Sequence, residues 1–86
     1  MSTITIRLKF FASLRERLGA NEALTLPAGT TVAGLRDLLL ARSDAHAELL
    51  ARGRAVRCAV NQQLCAEDAV IGDGAEVAFF PPVTGG

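Results

Sequence analysis

Eighty-six residues, half of them apolar, make one small domain with a single core and little room for an enclosed catalytic cavity. Nine Lys and Arg balance nine Asp and Glu, and this zero net charge excludes a basic nucleic-acid arm or a polybasic membrane anchor. No apolar run approaches the ~20 residues of a bilayer span, the opening MSTITIRLKF alternates instead of forming the apolar stretch of an export signal, and only two cysteines occur, so a reducing, cytoplasmic setting is expected.

Residues 3–10 alternate strictly, with Ile4, Ile6, Leu8 and Phe10 on one side, which predicts a half-buried strand. Residues 11–18 switch to helical spacing, with Phe11, Leu14 and Leu18 expected on one face and Gly19 as the stop. Residues 21–26 form a second strand closed by Pro27 and Gly29. Thr31 is the expected N-cap of the main helix, whose Val32, Leu35 and Leu39 recur at helical spacing as far as about Arg42, with Leu38 and Leu40 widening the apolar face. Ser43 or Asp44 restarts a short helix that ends before Gly53. Residues 55–60 alternate again, Asn61-Gln62 makes a tight turn, residues 63–65 return antiparallel, and residues 75–80 form the last strand, ended by Pro81-Pro82. A mixed sheet with one main helix packed across it is an α+β roll, and the other sheet face is left open to solvent or a partner.

The inventory of reactive side chains is short. His46 is the only histidine and is expected to face solvent; Cys58 and Cys65 lack CxxC spacing; no metal-ligand cluster and no phosphate-binding glycine motif occurs. Cys58 and Cys65 are expected to oppose one another, facing inward, as free thiols.

Glu76 sets the facing of the last strand. A charged residue points outward, so period two places Ala78 and Phe80 outward and Val77 and Phe79 in the core. A two-residue turn at Asn61-Gln62 pairs Ala59 with Leu64, which puts Arg57, Ala59 and Leu64 on that same outer face. Leu64 and Phe80 are thus candidate partner-binding residues.

Beyond Phe80 come six residues, Pro81, Pro82, Val83, Thr84, Gly85 and Gly86. Two fixed proline φ angles predict a stiff extended stalk, and six residues reach about 20 Å. Two glycines let the backbone pass a channel too narrow for a β-carbon. The combination, a 1–80 domain with an 81–86 tail, suits a carrier whose working atom is the carbonyl carbon of Gly86. A carboxylate is a poor electrophile, so an enzyme must convert it to an acyl-adenylate with ATP before a sulfur nucleophile can displace AMP and leave a thiocarboxylate.

The segments FFASLRERLG, TVAGLRDLL, AVNQ and above all DGAEVAFFPPVTGG, spread over nearly the whole chain, resemble the small, sulfur-carrying subunits of molybdopterin synthases, of the ubiquitin-like β-grasp fold. Ala75, where an acidic residue often follows the DG turn, and the loosely matching 64–72 loop are the departures. The resemblance implies a subunit active only with its large partner, in a heterotetramer. It implies that Gly86 is adenylated by a ubiquitin-activating-like adenylyltransferase, receives sulfur from a donor, and passes it to cyclic pyranopterin monophosphate in the large subunit to build the dithiolene. Pro81, Pro82, Val83, Thr84 and Gly85 are then the inserted tail, with Phe80 at the interface. No bound cofactor, nucleic acid or membrane is implied. A sulfur carrier for thiamine thiazole, a ubiquitin-like modifier of target lysines, and an interaction domain with an inert tail remain open alternatives.

Overall fold

The computed structural model describes residues 2–51, 53 and 55–81. The order of elements is β1 (Thr3–Phe10), α1 (Ala12–Leu18), β2 (Asn21–Pro27), α2 (Val32–Leu40), α3 (Asp44–Leu49), β3 (Arg57–Val60), β4 (Gln63–Leu64) and β5 (Glu76–Phe80). The strands form one mixed sheet in the order β2-β1-β5-β3-β4. β1 and β5 run parallel at its centre, and the other neighbours are antiparallel. The α+β roll expected from the residue pattern is therefore the observed architecture.

Alternation in β1 drives its burial: Ile4, Ile6, Leu8 and Phe10 enter the core while Thr3, Thr5 and Arg7 stay exposed. From β5, Val77 and Phe79 join them, and α2 lays Val32, Leu35 and Leu39 across the same sheet face. Each such side chain contributes about 1.5–3 kcal/mol when fully buried. Thr31 caps α2 as expected, its hydroxyl accepting the Gly34 amide at 3.1 Å, and Ser43 caps α3 by accepting the His46 amide. A cap of this kind is worth about 1 kcal/mol. Asn61 and Gln62 both have positive φ, 52° and 69°, the dihedrals of a type I′ hairpin. The Asn61 side chain then accepts the Glu76 amide, tying the turn to β5.

Four expectations are corrected. Phe11 is not on the buried face of α1: it is the extended N-cap residue and 44% exposed, because Ala12, at φ 55°, swings the chain out of the sheet one residue later than the helical spacing suggests. Leu38 does not widen the buried face of α2 but is 53% exposed, since the helix meets the core along Val32, Leu35 and Leu39, with Leu40 partly buried beside them. His46 does not face solvent: it is buried, with its ring edge-on to Phe10 at 6.1 Å between centroids. Ala59 and Ala78 lie on the outer side by register yet are 9% and 6% exposed, because a methyl group does not rise above the longer side chains around it.

Arg36, on α2, is a buried charge. Its guanidinium donates to the Leu50 and Ala51 carbonyls at 2.7 Å each and pairs with Glu67. One planar group thus closes the end of α3 and anchors the loop before β5, which a lysine ammonium could not do with the same geometry.

Candidate functional site

The register of the central strands assembles the outer face row by row. Lys9, Ala78, Ala59 and Leu64 stand side by side across β1, β5, β3 and β4. The next row toward the end of β5 holds Phe80 opposite Arg57. Phe11 extends the odd-numbered, outward series of β1, and its amide donates to the Phe79 carbonyl, which keeps it alongside β5. The result is an apolar surface of Phe11, Leu64 and Phe80 over a floor of two alanines. Leu64 is 62% exposed, whereas Phe80 and Pro81 are half-buried.

Charge frames this surface without filling it. Lys9 pairs with Glu76 at 3.2 Å, a neutral couple beside Ala78. Arg57 is exposed next to Phe80. A depression of about 300 Å³ lined by Thr5, Arg7, Ala23 and Asp73 lies at the opposite end of β1 and is remote from Phe80.

Sequence reasoning placed Leu64 and Phe80 together on this face, and the register does bring them to it. Phe80 is less exposed than a fully outward aromatic would be. Phe11 was missed, although the period-two series through Arg7 and Lys9 already pointed outward at residue 11. Pro82, Val83, Thr84, Gly85 and Gly86 lie outside the described residues. Chemically, the face can bury apolar surface against a partner, and Phe80 and Pro81 stand at its edge where the described chain ends.

Among the described residues no group of His, Cys, Asp and Glu is arranged to hold a metal ion, and no helix is long and apolar enough to cross a membrane. His46 belongs to the helical layer. Burial lowers its pKa from the ordinary value, Arg42 lowers it further, and Glu22 opposes them.

Comparison with known proteins adds a lineage. A family model described as the ThiS family matches residues 8–86. An Escherichia coli protein named molybdopterin synthase sulfur carrier subunit is 44% identical over 81 residues, spanning 94% of this chain and 99% of the relative. The solution structure of the Haloferax volcanii HVO 2177 protein superposes with a TM-score of 0.83 at 29% identity, covering 98% of this chain and 88% of that one. The crystal structure of small archaeal modifier protein 1 from Haloferax volcanii has a TM-score of 0.74 at 26% identity, covering 93% and 99%.

Proposed function

The chain belongs to the ThiS family, and from that premise we propose that it is the sulfur carrier subunit of a molybdopterin synthase, working through a thiocarboxylate at Gly86. The near full-length match to a relative of that name is the observation that supports this reading most directly. The apolar face beside Phe80 supplies a place for the large synthase subunit and for the activating enzyme to dock in turn.

The division of labour follows from the chemistry. The activating enzyme joins the Gly86 carboxylate to AMP from ATP, releasing pyrophosphate. A donor's sulfur attacks the activated carbonyl carbon, the bond to AMP breaks, and the carrier leaves with a C–S bond. In the large subunit the thiocarboxylate sulfur attacks cyclic pyranopterin monophosphate on the way to the dithiolene. The carrier contributes placement: the domain docks through Phe11, Leu64 and Phe80, while Pro81 to Gly86 bridge the ~20 Å that separates docking from chemistry. Holding the tail to a narrow range of conformations reduces the ordering cost of insertion, to which proline contributes. The setting is cytoplasmic, in keeping with the two free thiols.

Intact-mass measurement of the protein from native cells tests this reading. A fraction heavier by the difference between sulfur and oxygen is expected. Removing Gly85-Gly86 should leave folding intact and abolish sulfur transfer; full activity of that variant would refute the carrier reading. A residue added after Gly86 should be almost as damaging, since it displaces the activated carbon.

The likeness to an archaeal modifier protein favours one second reading, attachment of Gly86 to lysines of target proteins. Both reactions begin from the same acyl-adenylate. Isopeptide-linked conjugates carrying the Gly86 remnant would identify the modifier.

A further inference from the structure

The two cysteines stand opposite one another across the β3–β4 hairpin, and the carrier reading makes no use of them. With Val60 facing Gln63 and Ala59 facing Leu64, the next pair is Cys58 and Cys65. The Cys65 amide donates to the Cys58 carbonyl at 3.2 Å. Residues opposed across an antiparallel pair have Cα atoms about 4.5–5.5 Å apart, within the ~4.4–6.8 Å that disulfides span. The Cys65 sulfur lies 3.9 Å from the Cys58 carbonyl oxygen, turned toward the residue it faces.

The two thiols differ in access. Cys58 is 7% exposed and packed in the core, whereas Cys65 is half-buried at its margin. Burial, reinforced by the neighbouring Cys65 thiol, pushes the Cys58 thiol up to about 12, so it rests protonated and is not the thiol that attacks first; it reacts only when a capped Cys65 sulfur is held beside it. Cys65 is the thiol that a solvent-borne oxidant meets first.

We propose that Cys58 and Cys65 form a reversible disulfide, Cys65 capturing a low-molecular-weight disulfide of the glutathione class and Cys58 resolving it. The Cys65 thiol gives up its proton, its sulfur attacks one sulfur of the oxidant, and one thiolate leaves. The Cys58 thiol then loses its proton and attacks the Cys65 sulfur, expelling the second thiolate. Two electrons pass from the protein thiols to the oxidant, which ends as two free thiols. Both thiols are free in the structure, so the bridge is a form to be reached by oxidation. The bridge closes the short loop from residue 58 to residue 65 and pins the hairpin that presents Leu64. This inference goes beyond the carrier reading and stands without it.

The test uses the full chain, reduced, then incubated with glutathione disulfide without denaturant, alkylated and weighed. The expected product is a monomer lighter by two hydrogens, resistant to alkylation at both cysteines and restored by dithiothreitol. Cys58→Ser should stop at a mixed disulfide on Cys65, heavier by one glutathionyl group, and Cys65→Ser should remain unmodified under the same exposure. A wild-type product that halts at the mixed disulfide, forms only intermolecular dimers, or keeps two alkylatable thiols overturns the proposal. The wild-type mass decides the matter even if Cys58→Ser fails to fold.

Discussion

Arg57 on β3 lies directly across the ladder from Phe80 on β5, so a cation flanks the aromatic ring at the root of the tail. The pair combines an apolar anchor with a charge that remains solvated until a partner covers it. In such a setting the apolar member carries most of the affinity and the charge mainly selects the partner.

Leu64→Ala and Phe80→Ala should therefore separate binding from folding. Leu64 is 62% exposed, and its loss should change unfolding free energy by no more than about 0.5 kcal/mol. Phe80 is half-buried, and its loss should cost about 1–2 kcal/mol while leaving a folded domain. Affinity for the large synthase subunit should fall by about tenfold for Leu64→Ala and more for Phe80→Ala, read by titration calorimetry alongside urea melts. Unchanged affinity in both variants would remove this face from the docking model.

Gln62 holds φ at 69° without being glycine. Gln62→Gly would make the turn Asn-Gly, the preferred sequence for a type I′ hairpin. Relief of the left-handed strain of about 1–2 kcal/mol outweighs the added freedom of the unfolded chain, about 0.4–1 kcal/mol. The variant should be more stable by about 0.5 kcal/mol, raising the thermal midpoint by about 2–4 °C. A scanning calorimetry trace with a lower midpoint would contradict this.

Arg36→Met and Arg36→Lys probe the buried guanidinium. Methionine leaves the Leu50 and Ala51 carbonyls without their donor and Glu67 without its cation, at a cost of about 3 kcal/mol. Lysine restores the charge but not the fork that reaches all three acceptors, so it should recover less than half of the loss. Full rescue by lysine in a urea titration would show that charge alone matters there.

The pH dependence follows from His46. Its pKa in the folded protein is lowered, by burial first and Arg42 second, so below about 6.5 the unfolded chain binds the proton more readily than the folded one. Stability should therefore fall as pH drops from about 6.5 toward the lowered folded value, and this loss should be complete below it. His46→Leu should flatten the slope of unfolding free energy between about pH 5 and 7. An equally steep slope in that variant would assign the effect to other groups.

Much of the fold was legible because each signal was local. The alternation of Thr3–Phe10, the Thr31 cap and the Asn61-Gln62 turn each depend on residues a few positions apart, and all three form as the pattern predicts. Arg36 and His46 were not legible for the converse reason. An arginine in mid-helix reads as a solvated charge, and its burial depends on Glu67, thirty-one positions away. His46 is covered by Phe10, which a scan of the stretch SDAHAELL cannot reveal. Phe11 and Leu38 were misassigned because helical spacing places a residue on a face without saying where the helix begins or how wide its contact is. At the candidate site, Leu64 and Phe80 followed from hairpin register and period two, while the contribution of the tail was legible only as composition.

The parallel pairing of β1 with β5 has a consequence for biogenesis. The first and last strands are neighbours at the middle of the sheet, so neither half of the polypeptide can close the core by itself. Synthesis must pass Phe80 before Leu8 and Phe10 acquire their lasting neighbours Val77 and Phe79. A surface that recognises the assembled sheet therefore meets only chains whose synthesis has passed Phe80, and chains cut short within β5 are passed over without a separate quality check.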